Sequence, residues 1–119
     1  MKVLVVCPKQ PPVLRDVKPG LKPLQEIVGG YIEAVYPFDD PVAIICNEEG
    51  KLNSLEMNRA LCDSDGNVYD IIYGTFIIAG LTKDDFGSLS KELADKYANI
   101  FRKPEMFIKR PNGKVLVLK

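Results

Sequence analysis

Five polar residues crowd the stretch that follows an apolar run at Pro41–Ile45: Asn47, Glu48, Glu49, Asn58 and Arg59. At the end of a buried strand they would form a polar pocket. Asn58 and Arg59 would grip a phosphate or carboxylate there, because a guanidinium presents a planar fork of donors. The plainer reading is a structured turn. Asn47 would then fix the backbone through its side chain, and Arg59 would pair with Glu48, Glu49 or Glu56. The plainer reading is the favoured one, and Arg59 is the residue to test first.

Other chemistries fit the sequence less well. Asp63, Asp65, Asn67 and Asp70 hint at calcium, but Gly66 follows the second Asp directly and breaks EF-hand spacing, so a hairpin turn is expected. Cys46 and Cys62 would need a base or further ligands to act as nucleophile or metal pair. The chain contains no histidine, so they are expected to be small packing residues. Gly29-Gly30 ends a helical pattern instead of opening one and lacks a following Gly-Lys-Ser/Thr, so it is no phosphate loop. Glu33, on a strand with tyrosines, reads as solvent-facing. No metal and no cofactor is expected.

Charge is distributed unevenly. Lys plus Arg and Asp plus Glu number 16 each, giving a net charge of 0. Yet Arg102–Lys119 holds six basic residues and one acidic, while Asp39–Asp70 holds eight acidic and two basic. Lys109, Arg110 and Lys114 gather at Pro111-Asn112-Gly113, where an Asn-Gly between two strand-like runs signals a hairpin. Arg110 and Lys114 flank the turn and would converge at one end of the ribbon, and the basic hairpin would bind an anion such as a nucleotide or nucleic acid. The two opposed regions would also support self-association. The third reading is an ordinary mixed surface whose strand edges are protected by lysines.

The elements that must carry these residues follow from pattern and punctuation. With 119 residues and 46% hydrophobic composition, one compact domain with a real core is expected. Lys2–Cys7 reads as a strand stopped by Pro8, Pro11–Val17 as an edge strand because proline is tolerated at a strand start or edge, and Tyr31–Tyr36 and Val42–Cys46 as strands, the last central because it is apolar on both sides. Val68–Ala79 is strand-like and interrupted at Gly74. Pro23 opens a short helix that Gly29 closes. Ser90 caps the strongest helix, Lys91–Phe101, whose stripe is Leu89, Leu93, Tyr97, Ile100 and Phe101. Helical turns are expected at Ser54–Leu61 and after Thr82. The fold class is α+β: a mostly antiparallel sheet of about five to seven strands, two main helices on one side, and a C-terminal β-hairpin. Ile44, Ile45, Phe76, Ile78, Leu93 and Tyr97 should be buried together. No apolar run approaches the roughly 18 residues of a membrane helix, and no leader is apparent, so a cytoplasmic protein with reduced thiols is expected.

Leu24–Glu33, Asn47–Leu52, Asn58–Leu61 and Tyr69–Phe76 resemble a small domain-of-unknown-function family encoded in plasmids, conjugative elements and phages of Gram-positive bacteria. The resemblance spans roughly the first hundred residues. It departs at Glu56, where the family pattern has a proline ahead of Asn58, and at Cys62, where a charged residue is usual. It implies a mobile-element setting and carries over no catalytic residue. The expected function is a non-catalytic accessory protein that binds a host protein or a small phosphorylated ligand, in counter-defence, with nucleic acid set behind these and a homo-oligomer in view. The alternatives are a small hydrolase using carboxylates and Arg59, and a structural self-associating module.

Overall fold

A computed structural model describes all residues, Met1–Lys119. The molecule is built on one all-antiparallel sheet. Its strands are β1 (Lys2–Val6), β2 (Val13–Asp16), β3 (Ile32–Val35), β4 (Val42–Asn47), β7 (Phe76–Leu81) and the short β8 (Phe86–Gly87). The spatial order is β2-β1-β7-β4-β3, with β8 pairing with β7. Two further pairs stand apart: β5 (Met57–Cys62) with β6 (Val68–Tyr73), and β9 (Met106–Lys109) with β10 (Val115–Leu118). With helices α1 (Leu21–Val28) and α2 (Lys91–Ile100) this is an α+β fold.

The helices lie on opposite faces of the sheet, which corrects the expectation of a single helical side. Side chains alternate across a strand. Leu4, Val6, Ile44, Phe76 and Ile78 therefore form one core with Leu89, Ala94, Tyr97 and Phe101 of the α2 region. Val3, Val5, Ile45, Ile77 and Ala79 form a second core with Leu24 and Val28 of α1. Ile45 thus leaves the group it was expected to join, and Leu93 packs only at the first core's margin, half-buried. Leu61 and Ile72 add the β5–β6 pair to the α2 side.

Local chemistry explains the remaining boundaries. Ser90 caps α2 by accepting the Leu93 N–H at 3.1 Å. α1 ends because Gly29 adopts φ 81°, and the N–H groups of Gly29 and Gly30 both donate to the Gln25 carbonyl. At Gly74, φ is 80° and an added Cβ would meet Leu55 Cδ1 at 2.7 Å, so this glycine lets the chain leave β6 and enter the main sheet as β7. Ser54–Leu61 is not helical: it enters strand β5. After Thr82 there is a β7–β8 turn in which the Thr82 hydroxyl accepts the Asp85 N–H at 3.0 Å. Side chain and turn together satisfy the groups that a helical turn would have used.

Candidate functional site

The polar residues of the sequence divide into three places. Asn47 sits at the end of β4, where its side-chain amide donates to the Val28 carbonyl at 3.1 Å and its oxygen accepts the Glu49 N–H at 2.8 Å. It ties the end of α1 to the turn after β4. Glu48 lies beside it on a shallow cleft of about 240 Å³ that Glu33, Lys51 and Asp70 also line. Cys46 opens onto this cleft. Burial, then Glu33, then Asp70 push its thiol up to about 11, which keeps it protonated and unreactive at neutral pH. Cys62 is exposed and lines a different cleft, so it is not the core thiol the sequence suggested.

Asn58 and Arg59 lie in the second place, wholly inside the protein. Their exposures are 1% and 0%. The β5–β6 register shifts between Met57 and Arg59. Such a bulge lets two residues oppose one and re-aims side chains. Here it brings Asn58 and Arg59 together. The Asn58 amide donates to the carbonyls of Val6 and Gly74, each at 2.8 Å. Arg59 uses all five N–H donors. Nε and Nη2 reach the Phe101 carbonyl at 3.1 and 2.8 Å, Nη2 also reaches the Gln10 carbonyl at 2.5 Å, and Nη1 reaches the carbonyl and side-chain oxygen of Asn58 at 3.3 and 2.8 Å. None of these acceptors is a carboxylate, in contrast to the pairing with Glu48, Glu49 or Glu56 that charge alone suggested. Phe101 ends α2, whose carbonyls carry the negative end of the helix dipole, so neutral acceptors suffice to hold the cation. Burial draws the Arg59 pKa down, and Glu105 opposes that shift.

The third place is the C-terminal ribbon. Its base is fastened by Glu105, whose carboxylate accepts the Ala60 N–H at 2.5 Å. Its tip is a three-residue loop. Arg110 N–H donates to the Lys114 carbonyl at 2.8 Å, Lys114 N–H donates to the Asn112 side chain at 3.0 Å, and Gly113 adopts φ 84°. Arg110 and Lys114 therefore face each other across the turn, with Lys109 one residue back on the opposite face. All three are exposed, and none forms an ion pair within the chain. The cross-strand pairs Met106–Leu118 and Ile108–Leu116 put four apolar side chains on one face. Their exposures are 63, 44, 42 and 37% respectively. The other face, with Phe107 and Val117, is half-buried, and a groove of about 490 Å³ lies at the start of the ribbon, between Met106 and Phe107 on one side and Lys9, Glu56 and Met57 on the other.

Of the six candidate residues, Arg110 and Lys114 meet at the ribbon turn with Lys109 next to them on the opposite face, Asn58 and Arg59 lie together in the interior, and Asn47 stands alone. The turn acids behave as hairpin-formers: Asp63 accepts the N–H groups of Asp65 and Asn67. Glu105 and the exposed apolar ribbon face were not singled out from sequence. The alternation of Met106, Ile108, Leu116 and Leu118 against the turn was the available signal for that face. Residues 1–102 match the model of a family described as a domain of unknown function, DUF3846, so the ribbon lies beyond the matched stretch. No curated protein and no solved structure matches the chain.

Proposed function

The chain belongs to this family of unknown function, DUF3846, and from that premise we propose that it is a non-catalytic binding protein of a mobile genetic element whose recognition surface is the basic C-terminal ribbon. The mobile-element setting rests on the family resemblance carried by Leu24–Glu33 and Asn58–Leu61, and counter-defence against the host is the role that setting suggests. The single observation that supports ribbon binding is the unpaired cations of the ribbon tip, Arg110 and Lys114 beside an exposed apolar face and Lys109 on the face behind them. Clustered charge with adjoining apolar surface suits an acidic macromolecular surface such as a host protein: the cations steer and orient, and the apolar residues supply burial. Arg59 has no donor left to offer, so anion binding falls to the ribbon tip.

Calorimetric titration tests the reading with three probes: poly-glutamate as a stand-in for an acidic protein surface, a panel of nucleotides, and a short DNA duplex. Poly-glutamate should bind, weaken with added salt, and lose binding in the triple variant K109E/R110E/K114E. Preference for nucleotides at the same three residues would favour the second reading, a small phosphorylated ligand. No binding of any probe to monomeric protein at high micromolar probe concentration would sink both.

A further inference from the structure

We propose that the ribbon of one chain docks on the acidic cleft of a second copy, forming a reciprocal pair. This deepens the ribbon-binding reading, on which it rests, by naming a partner. The ribbon's outer apolar face is left 37–63% exposed within the chain, and a two-stranded ribbon is marginal without cover. What covers it is argued from charge. The tip presents Lys109, Arg110 and Lys114, all unpaired. The cleft presents Glu33, Glu48 and Asp70 against Lys51 alone, and only Asp70 has a cation partner, Lys51 at a loose 4.0 Å. Apolar side chains Val35, Ile71 and Tyr73 line the cleft among these acids, so it offers apolar contact as well as charge.

Each surface therefore lacks what the other carries. One copy holds both, in a chain whose total charge is 0. Packing ribbon on ribbon would instead bring Lys109, Arg110 and Lys114 toward Arg102, Lys103 and Lys119 at the base of the other ribbon, which like-charge repulsion disfavours. Ribbon on cleft matches sign with sign and covers apolar with apolar. In a two-fold pair the contact is made twice, which doubles its area without new chemistry.

Native mass spectrometry and sedimentation equilibrium of the full chain test this through charge exchange. Wild type should show twice the chain mass at micromolar concentration and dissociate as salt rises. K109E/R110E/K114E should be monomeric, because ribbon and cleft then share negative sign. E33K/E48K/D70K should be monomeric for the converse reason. Mixing the two variants should restore pairing, since each then meets its opposite. That recovery distinguishes docking from misfolding, and circular dichroism of each variant alone should match wild type. A wild type that stays monomeric at high micromolar concentration overturns the proposal. So does pairing that survives either reversal, or two folded variants that fail to pair when mixed. Poly-glutamate binding by a monomeric wild type would leave the ribbon-binding reading standing while this one fails, and loss of both would remove the two together.

Discussion

Arg59 shows how a residue that advertises chemistry in a sequence can be spent entirely on structure. Its five donors hold carbonyls from three segments, Gln10, Asn58 and Phe101. Removing it strands several buried acceptors, each costing about 1–3 kcal/mol. Arg59→Ala should therefore lose at least about 3 kcal/mol in urea titration and leave poly-glutamate binding of the folded fraction unchanged. Lys in its place should rescue little, because an ammonium cannot reproduce the fork. The sequence disclosed the identity of this residue but not its burial, since the bulge that turns Asn58 and Arg59 inward has no signature in the residues themselves. The thiols give a second expectation. Cys62, exposed, should react with a thiol reagent within the mixing time of folded protein, whereas Cys46 should react only on unfolding. Alkaline pH adds a third. Below about pH 9, the ordinary value for the Cys46 thiol, folded and unfolded forms both keep the proton, so stability is flat there. From about 9 to about 11 the unfolded chain gives up its proton first, so stability should fall with rising pH. Tyr97, raised from 10.0 by burial and by Asp40, works in the same direction. A stability titration from pH 8 to 11 checks the slope.

At the scale of elements, most of the fold was legible because most of it is local. Pro8, Pro37 and Gly74 punctuate strands, Ser90 caps α2, and Asn112-Gly113 turns the ribbon, each by chemistry a few residues long. What escaped was non-local. Val3–Val6 and Val42–Ile45 are buried without a break, which demands cover on both faces. The continuous runs implied two layers of cover, yet only the assembled sheet order shows that α1 takes one face and α2 the other. Ser54–Leu61 misled for a related reason: spacing three of Leu55, Asn58 and Leu61 mimics a helix when a bulge disturbs a strand's alternation. The two-sided arrangement has a measurable consequence. Leu24 and Leu89 sit in separate cores on opposite faces. Each truncation to alanine should cost about 2–5 kcal/mol. Their costs should add within about 0.5 kcal/mol in a double mutant, because the two share no packing partner. A coupling above about 1 kcal/mol would mean that the sheet transmits strain between its faces.

For the molecule as a whole, an elongated shape of 43 × 29 × 23 Å carries its unpaired basic tip on a ribbon of its own. No helix is long and apolar enough to cross a membrane. The opposed charge of the two chain regions was visible in the sequence, but the separation of buried Arg59 from exposed Lys109, Arg110 and Lys114 was not, because charge counts do not record depth. Depth also bears on time. The Asn58–Arg59 cluster joins residues 52, 49 and 42 positions apart, at Val6, Gln10 and Phe101. The bonds need the end of β1, the turn after it, the β5 bulge and the end of α2 all in place, so we expect them to close after the transition state. Bonds absent from the transition state act on escape from the native state rather than on arrival. Arg59→Ala should leave the refolding limb of a stopped-flow chevron almost in place and accelerate the unfolding limb, with a φ-value near zero. The cluster would then act as a latch, setting how long a folded molecule persists.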